Sequence, residues 1–420
     1  MVRLSRVRTV ALHDDDSRSL PHVSALDGLR GIAVLLVVVY HSWVMPVADR
    51  LDHIATSLAG LGWSGVQLFF VLSGFLITGI LLDSRNGRHY FRNFYVRRVL
   101  RIFPLYYAVL VFYLVLAPAV LPPHLQKPIP TVPGQELWYV FYLSNFSMAR
   151  LGGIGPPTLG VTWSLAVEEQ FYLVWPLVVW LVPRKWLLYI CVALLALSFG
   201  WRTWMTLSGA SPIATYVMTQ SEFGGLAIGG VLAIVQRRPG GFGPLVAWAR
   251  GLIIATAALI LVINARAIAS GHGYVQFDPL METAGLLVLQ LLFASTLVLA
   301  LGGGLVGGLM RLRPLCACGR WSYGIYLFHP LVMVVAQVLT GTHGWPLLFG
   351  SALPKQLALT ALGIGLSSAV AALSWNLYEK PFLRLKRFFP MGDRAKGASD
   401  EPRSLTKELA VQSPAEPVSS

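Results

Sequence analysis

Ten stretches of this chain are each long and apolar enough to cross a lipid bilayer, which takes about 20 residues as a helix. They fall near 26–47, 61–82, 102–121, 159–182, 186–205, 217–235, 251–269, 283–301, 321–340 and 357–377. Inside lipid there is no water to hydrogen-bond the backbone, so each stretch must satisfy its own N–H and C=O groups, as a helix does. The pattern predicts an all-α, polytopic membrane protein of about ten transmembrane helices. Charge is correspondingly scarce, at 12% of residues against about 25% in an ordinary soluble domain. The Tyr- and Trp-rich stretch at 137–148 is short and amphipathic, and reads as interfacial or re-entrant. The chain divides into a polar N-terminal segment, 1–24, a membrane domain, 25–388, and a Pro-, Ser-, Glu- and Lys-bearing tail, 389–420, which reads as disordered. The first apolar stretch reads as a retained span and not as a cleaved signal.

A net charge of +14 raises the question of nucleic acid. The distribution argues against it. With ten crossings, the termini and the even-numbered loops share one side, and 27 of the 33 Lys and Arg residues fall there. Only Arg50, Lys127, Arg150, Arg202, Arg266 and Lys355 fall on the other. Positive charge collects in cytoplasmic loops, so both termini are expected in the cytoplasm and loop 122–158 outside. The surplus is topology, and no nucleic-acid partner is expected. Cys191 falls inside a span and Cys316 and Cys318 in a predicted cytoplasmic loop, which implies neither a disulfide framework nor a zinc set.

Within this apolar background the ionisable groups stand out. Arg30 and His41 lie in the first span, eleven residues apart. At about 100° per residue both project from one helix face, roughly 16 Å apart along the axis. An ionisable group deep in a bilayer is costly and usually faces a cavity or a partner. A second concentration is Trp163-Ser164-Leu165-Ala166-Val167-Glu168-Glu169-Gln170-Phe171-Tyr172. Ser164, Glu168 and Tyr172 share one stripe, whereas Glu168 and Glu169 point about 100° apart. One glutamate can serve as a base or orient a histidine, while the other pairs with an arginine or stays protonated. A structural ion pair between helices is the alternative.

A third set is Ser322, Tyr326 and His329 on one face of the ninth span, followed by Pro330, which permits a kink. His329 either binds substrate or is hydrogen-bonded between helices. Fourth, Arg97, Arg98 and Arg101 crowd the predicted cytoplasmic mouth of the third span. Guanidinium forks suit phosphate, and anchoring at the membrane surface is the competing role. Arg97 and Arg101 share a face and Arg98 does not, so one of the adjacent pair should matter much less. The run Phe69–Gly79 reads as helix packing, Glu222 as a lone solvated acid, and Tyr378-Glu379-Lys380-Pro381-Phe382 as a surface anchor.

Taken in order, these motifs resemble membrane acyltransferase family 3, which includes bacterial O-acetylases and macrolide O-acyltransferases. The resemblance runs over about residues 24–388. It rests on Leu26-Asp27-Gly28-Leu29-Arg30-Gly31 through His41, Phe69-Phe70-Val71-Leu72-Ser73-Gly74-Phe75, Arg97-Arg98 with Arg101, Trp163 to Tyr172, and Tyr323 to His329. It implies a multi-pass protein of the inner (plasma) membrane, in which Arg30 and His41 are essential to acyl transfer and acyl-CoA arrives from the cytoplasm. The expected reaction moves a short acyl group, acetyl first, from acyl-CoA to a hydroxyl of a sugar, a cell-surface glycan or a glycosylated natural product. No bound cofactor or metal is expected.

A neutral histidine suits proton removal from that hydroxyl, so His41 is expected as general base, with Glu168 or Glu169 orienting it or offsetting its charge. Arg30 is expected to bind the donor or stabilise the carbonyl oxyanion. Arg97, Arg98 and Arg101 are expected at the donor, and Ser164, Tyr172, Tyr326 and His329 at the substrate. Two rival classes are an exporter of an acylated small molecule or organic acid, which also uses many helices and buried charge, and a non-catalytic membrane scaffold.

Overall fold

A computed structural model describes residues 24–44, 47–120, 134–269, 275–340, 347–348 and 350–391. The N-terminal segment and nearly all of the tail lie outside the described residues, as does most of the first half of loop 122–158. Among the described residues no β-strand forms, and the isolated antiparallel bridge between Leu348 and Ser351 is the extended pairing present.

Ten long helical segments make the frame. They are α1 (Ser24–Ser42), α2 (Arg50–Ser84), α3 (Tyr90–Leu116), α4 (Thr162–Leu181), α5 (Arg184–Leu207), α6 (Pro212–Gln236), α7 (Gly243–Ala269), α8 (Met281–Gly302), α9 (Ser322–Thr340) and α10 (Leu353–Phe388). Among the described residues, nine of them are long and apolar enough to cross a membrane. The exception is α4. Its 20 residues suffice in length, but Glu168, Glu169 and Gln170 dilute its apolar character. The 137–148 region forms two short helices, Glu136–Val140 and Ser144–Leu151, too short to cross.

Close helix contacts are made at glycines. A Cβ on Gly74 of α2 would lie 1.9 Å from the Leu226 carbonyl oxygen of α6, and one on Gly229 would lie 2.2 Å from that of Val71. The Phe69–Gly79 run therefore packs as its small residues suggest. A second interlock surrounds Arg30. The short helix Arg313–Arg320 lies against α1, where a Cβ on Gly31 would meet the Leu315 oxygen at 2.2 Å and one on Gly319 the Asp27 oxygen at 1.7 Å. Backbone rests on backbone there, which fixes the turn that carries Arg30. The connection between α8 and α9 expected to hold Cys316 and Cys318 thus contains a short helix that carries both, and all three cysteines are free.

Glu222 is also corrected. It is fully buried, with Arg202 Nη1 of α5 at 3.6 Å and Gln67 Nε2 of α2 donating at 2.6 Å. An arginine on a neighbouring helix makes burial tolerable, because a buried charge persists only when paired.

Candidate active site

The three arginines of the sequence reading separate here. Arg30 of α1 and Arg98 and Arg101 of α3 line one cavity of about 100 Å³, together with Ser73 of α2, Ser164, Glu168 and Tyr172 of α4, and Ser322, Tyr323 and Tyr326 of α9. Phe69, Phe70, Leu72 and Leu165 supply much of its apolar wall. Arg97 is directed elsewhere. Its Nη1 donates to the carbonyls of Lys386 at 3.0 Å and Phe389 at 3.1 Å, so it ties α3 to the end of α10. Arg98 lies 5.7 Å from the ring centres of both Phe94 and Tyr172. Its Nε is buried without a hydrogen-bond acceptor among the described residues. Arg101 sits over Trp375 and pairs with Glu379 at 3.7 Å. Glu379 is buried while Tyr378, Lys380 and Pro381 are exposed, so within the stretch expected as a surface anchor this acid alone turns inward.

The two glutamates separate as well. Glu168 lines the cavity and Glu169 does not. Ser73 donates its hydroxyl hydrogen to Glu168, and Tyr172 donates to Ser73 Oγ at 3.1 Å. A serine hydroxyl has one hydrogen and a carboxylate only accepts, so with Glu168 ionised the direction runs from Tyr172 to Ser73 to Glu168. The shared stripe of Ser164, Glu168 and Tyr172 is what helical spacing on α4 requires. Ser73 is the residue that the sequence reading underused: its motif reads as packing, and the hydroxyl's role depends on α4 lying opposite.

The histidines form a pair. His41 Nδ1 lies 2.9 Å from the Val37 carbonyl and 3.3 Å from His329 Nε2. His329 Nδ1 lies 3.2 Å from the Ile325 carbonyl. A carbonyl oxygen only accepts, so in neutral rings both Nδ1 atoms carry the hydrogen and both Nε2 atoms hold a lone pair. His41 Nε2 is then the basic atom. A backbone carbonyl and a second histidine orient it, and neither Glu168 nor Glu169 does, which corrects that expectation. His329 is fully buried, whereas His41 is exposed. Tyr326 stands next to His329, with ring centres 5.8 Å apart, and its hydroxyl meets Ser164 Oγ at 2.6 Å.

The acyltransferase-domain family profile matches residues 23–373. The peptidoglycan O-acetyltransferase OatA of Listeria monocytogenes is 30% identical over 380 residues, covering 86% of this chain and 56% of that protein. The O-acetyltransferase OatA of Staphylococcus aureus is 26% identical over 338 residues, covering 75% of this chain and 51% of that protein. The chain thus spans about half the length of these relatives. No solved structure matches it. The arginine–histidine span, the acidic α4 and the Tyr326–His329 face lie within the matched residues, and the chain belongs to acyltransferase family 3, a family of acyl-transferring enzymes.

Proposed function

We propose that the protein transfers an acetyl group from acetyl-CoA, arriving on the cytoplasmic side, to a sugar hydroxyl of a glycan. The observation that carries this reading is a line of polar groups through an apolar bundle. It begins at Arg30, Arg98 and Arg101, passes Glu168, Ser73 and Tyr172, and reaches Ser164, Tyr326 and the His329–His41 pair. Three guanidinium groups suit the phosphates of coenzyme A. Whole-ligand pockets occupy about 300–1,000 Å³. A cavity of about 100 Å³ is therefore matched to the thioester end with a short acyl chain, the rest of the coenzyme lying towards the arginines.

In the reaction the acceptor oxygen attacks the thioester carbonyl carbon while His41 Nε2 takes its proton. The C–S bond breaks, the ester forms, and the proton passes to the departing thiolate. Because one relative is named a peptidoglycan O-acetyltransferase, peptidoglycan sugars are the first acceptors to test. Detergent-purified protein given acetyl-CoA and a soluble chito-oligosaccharide should release free thiol and produce the O-acetylated sugar by mass spectrometry. An exporter releases no thiol in detergent, where no gradient exists, and that result would refute the proposal.

A further inference from the structure

This inference rests on the acyl-CoA reading above. The cavity that would hold the thioester and the histidine that would activate the acceptor are not in one open space. Ser164 and Tyr326 line the cavity, while His41 and His329 do not. Tyr323 lies 5.9 Å from Arg101, and Tyr326, about one turn further along α9, lies beside His329, so the Ser164–Tyr326 pair stands on the histidine side of the cavity. Behind Tyr326 lies His329, fully buried, and behind His329 lies His41, which is exposed. The order is therefore cavity, Tyr326 with Ser164, His329, His41.

The layer is held shut by hydroxyl contacts. Ser164 Oγ and Tyr326 Oη are 2.6 Å apart, and both reach the Val161 carbonyl, at 3.2 and 3.1 Å. Two hydroxyl hydrogens serve three contacts, so one bonds the partner hydroxyl and the other bonds Val161. The Tyr326 ring also meets Phe69, edge to face, at 5.9 Å. A nucleophile must come within about 3–3.5 Å of the carbonyl carbon, so transfer from acetyl-CoA to an oxygen at His41 requires this layer to part. While closed, it keeps water arriving from the His41 side away from the thioester.

We propose that Ser164 and Tyr326 form a partition between donor cavity and acceptor side, and that they decide whether the acyl group goes to the acceptor hydroxyl or to water. In the unwanted step a water oxygen attacks the carbonyl carbon and the C–S bond breaks. Acetic acid leaves, and the thiolate takes the water's proton.

The test measures thiol release from acetyl-CoA with and without a chito-oligosaccharide acceptor. Tyr326→Phe removes both hydroxyl contacts from α9 to the start of α4 while keeping the bulk, whereas Ser164→Ala removes one and leaves Tyr326 to donate to the Val161 carbonyl. Losing one hydrogen bond should populate the open layer about two- to tenfold more. Acceptor-free thiol release should rise by that factor, and the ratio of transfer to hydrolysis should fall. The double variant should match Tyr326→Phe, because the Ser164 hydroxyl left in that variant bonds only Val161, three residues before it, and no longer reaches α9, and Ser164→Thr should keep the wild-type ratio. A variant that is merely misfolded lowers both rates together, whereas a Tyr326→Phe protein that keeps wild-type transfer with an unchanged ratio of transfer to hydrolysis overturns the partition.

A second measurement needs no turnover. In a background lacking Cys191, Cys316 and Cys318, a Ser73→Cys protein should react with a membrane-impermeant thiol reagent from the arginine side alone. Adding Tyr326→Ala should open it to reagent from the His41 side. Equal access from the His41 side before and after overturns the partition even if the donor is not acetyl-CoA. A wild-type protein that releases no thiol under any condition, with labelling as expected, overturns the donor assignment alone.

Discussion

Arg97 and Arg98 are neighbours in sequence, yet exchanging each for alanine should have opposite consequences. Arg98 faces the cavity, with a buried Nε that no described residue occupies. A hydrogen bond to a charged group contributes about 1.5–3 kcal/mol, so Arg98→Ala should raise the acetyl-CoA dissociation constant roughly ten- to a hundredfold. Arg98→Lys should recover part of this, because an ammonium supplies charge without the planar fork. Arg97 is already engaged with the Lys386 and Phe389 carbonyls. Its alanine variant should bind acetyl-CoA within about twofold of wild type. It should instead unfold more easily, by about 1–3 kcal/mol for carbonyls left without a donor. Calorimetric titration at fixed ionic strength reads the first quantity, and thermal unfolding in detergent the second. Arg101→Ala should fall between them, since that guanidinium lines the cavity and also pairs with Glu379. Equal losses of affinity in the Arg97 and Arg98 variants would refute the assignment of the donor to this cavity.

His41→Gln should abolish acyl transfer in a folded, membrane-inserted protein, because an amide hydrogen-bonds but does not take a proton near neutral pH; retained turnover would remove His41 from the chemistry. Gly31→Ala should lower thermal stability by about 1–3 kcal/mol or more, since its Cβ would lie 2.2 Å from the Leu315 oxygen. Gly200→Ala, with no neighbour within 4 Å, should be neutral or stabilising, and the same thermal melts compare the two. For topology, an Arg150→Cys protein lacking the native cysteines should be labelled by an impermeant reagent on intact cells, and an Arg311→Cys protein only after permeabilisation; the reverse pattern would invert the proposed orientation.

Helical spacing made much of the site legible in the sequence. It puts Ser164, Glu168 and Tyr172 on one stripe, and the structure agrees; it also separates Arg97 from Arg98, but the member that joins Arg101 at the cavity is Arg98, three residues before it, and not Arg97, which shares its face by spacing of four. What stayed hidden depends on contacts between distant helices. Glu379 reads as a surface anchor until α10 docks on α3 and brings it to Arg101. Glu222 reads as solvated until α5 supplies Arg202. The carboxylate expected beside His41 is replaced by His329, and no periodicity within either span carries that pairing. The same acids that mark α4 as chemical also lower its apolarity, which is why it is the long helix outside the spanning set.

The attachment of α3 to the end of α10 bears on where this unit can be cut. Family similarity ends at residue 373. Three polar side chains of α3 find their partners later in the chain: Arg101 at Glu379, Arg97 at Lys386 and Phe389, and Asn93 at the Pro390 carbonyl, 2.6 Å away. A chain trimmed at the similarity boundary would keep every aligned motif and strand two cations and an amide of α3, the helix that also carries Arg98. A piece that keeps these partners of α3 therefore runs at least through Pro390, and a fusion partner belongs beyond that point.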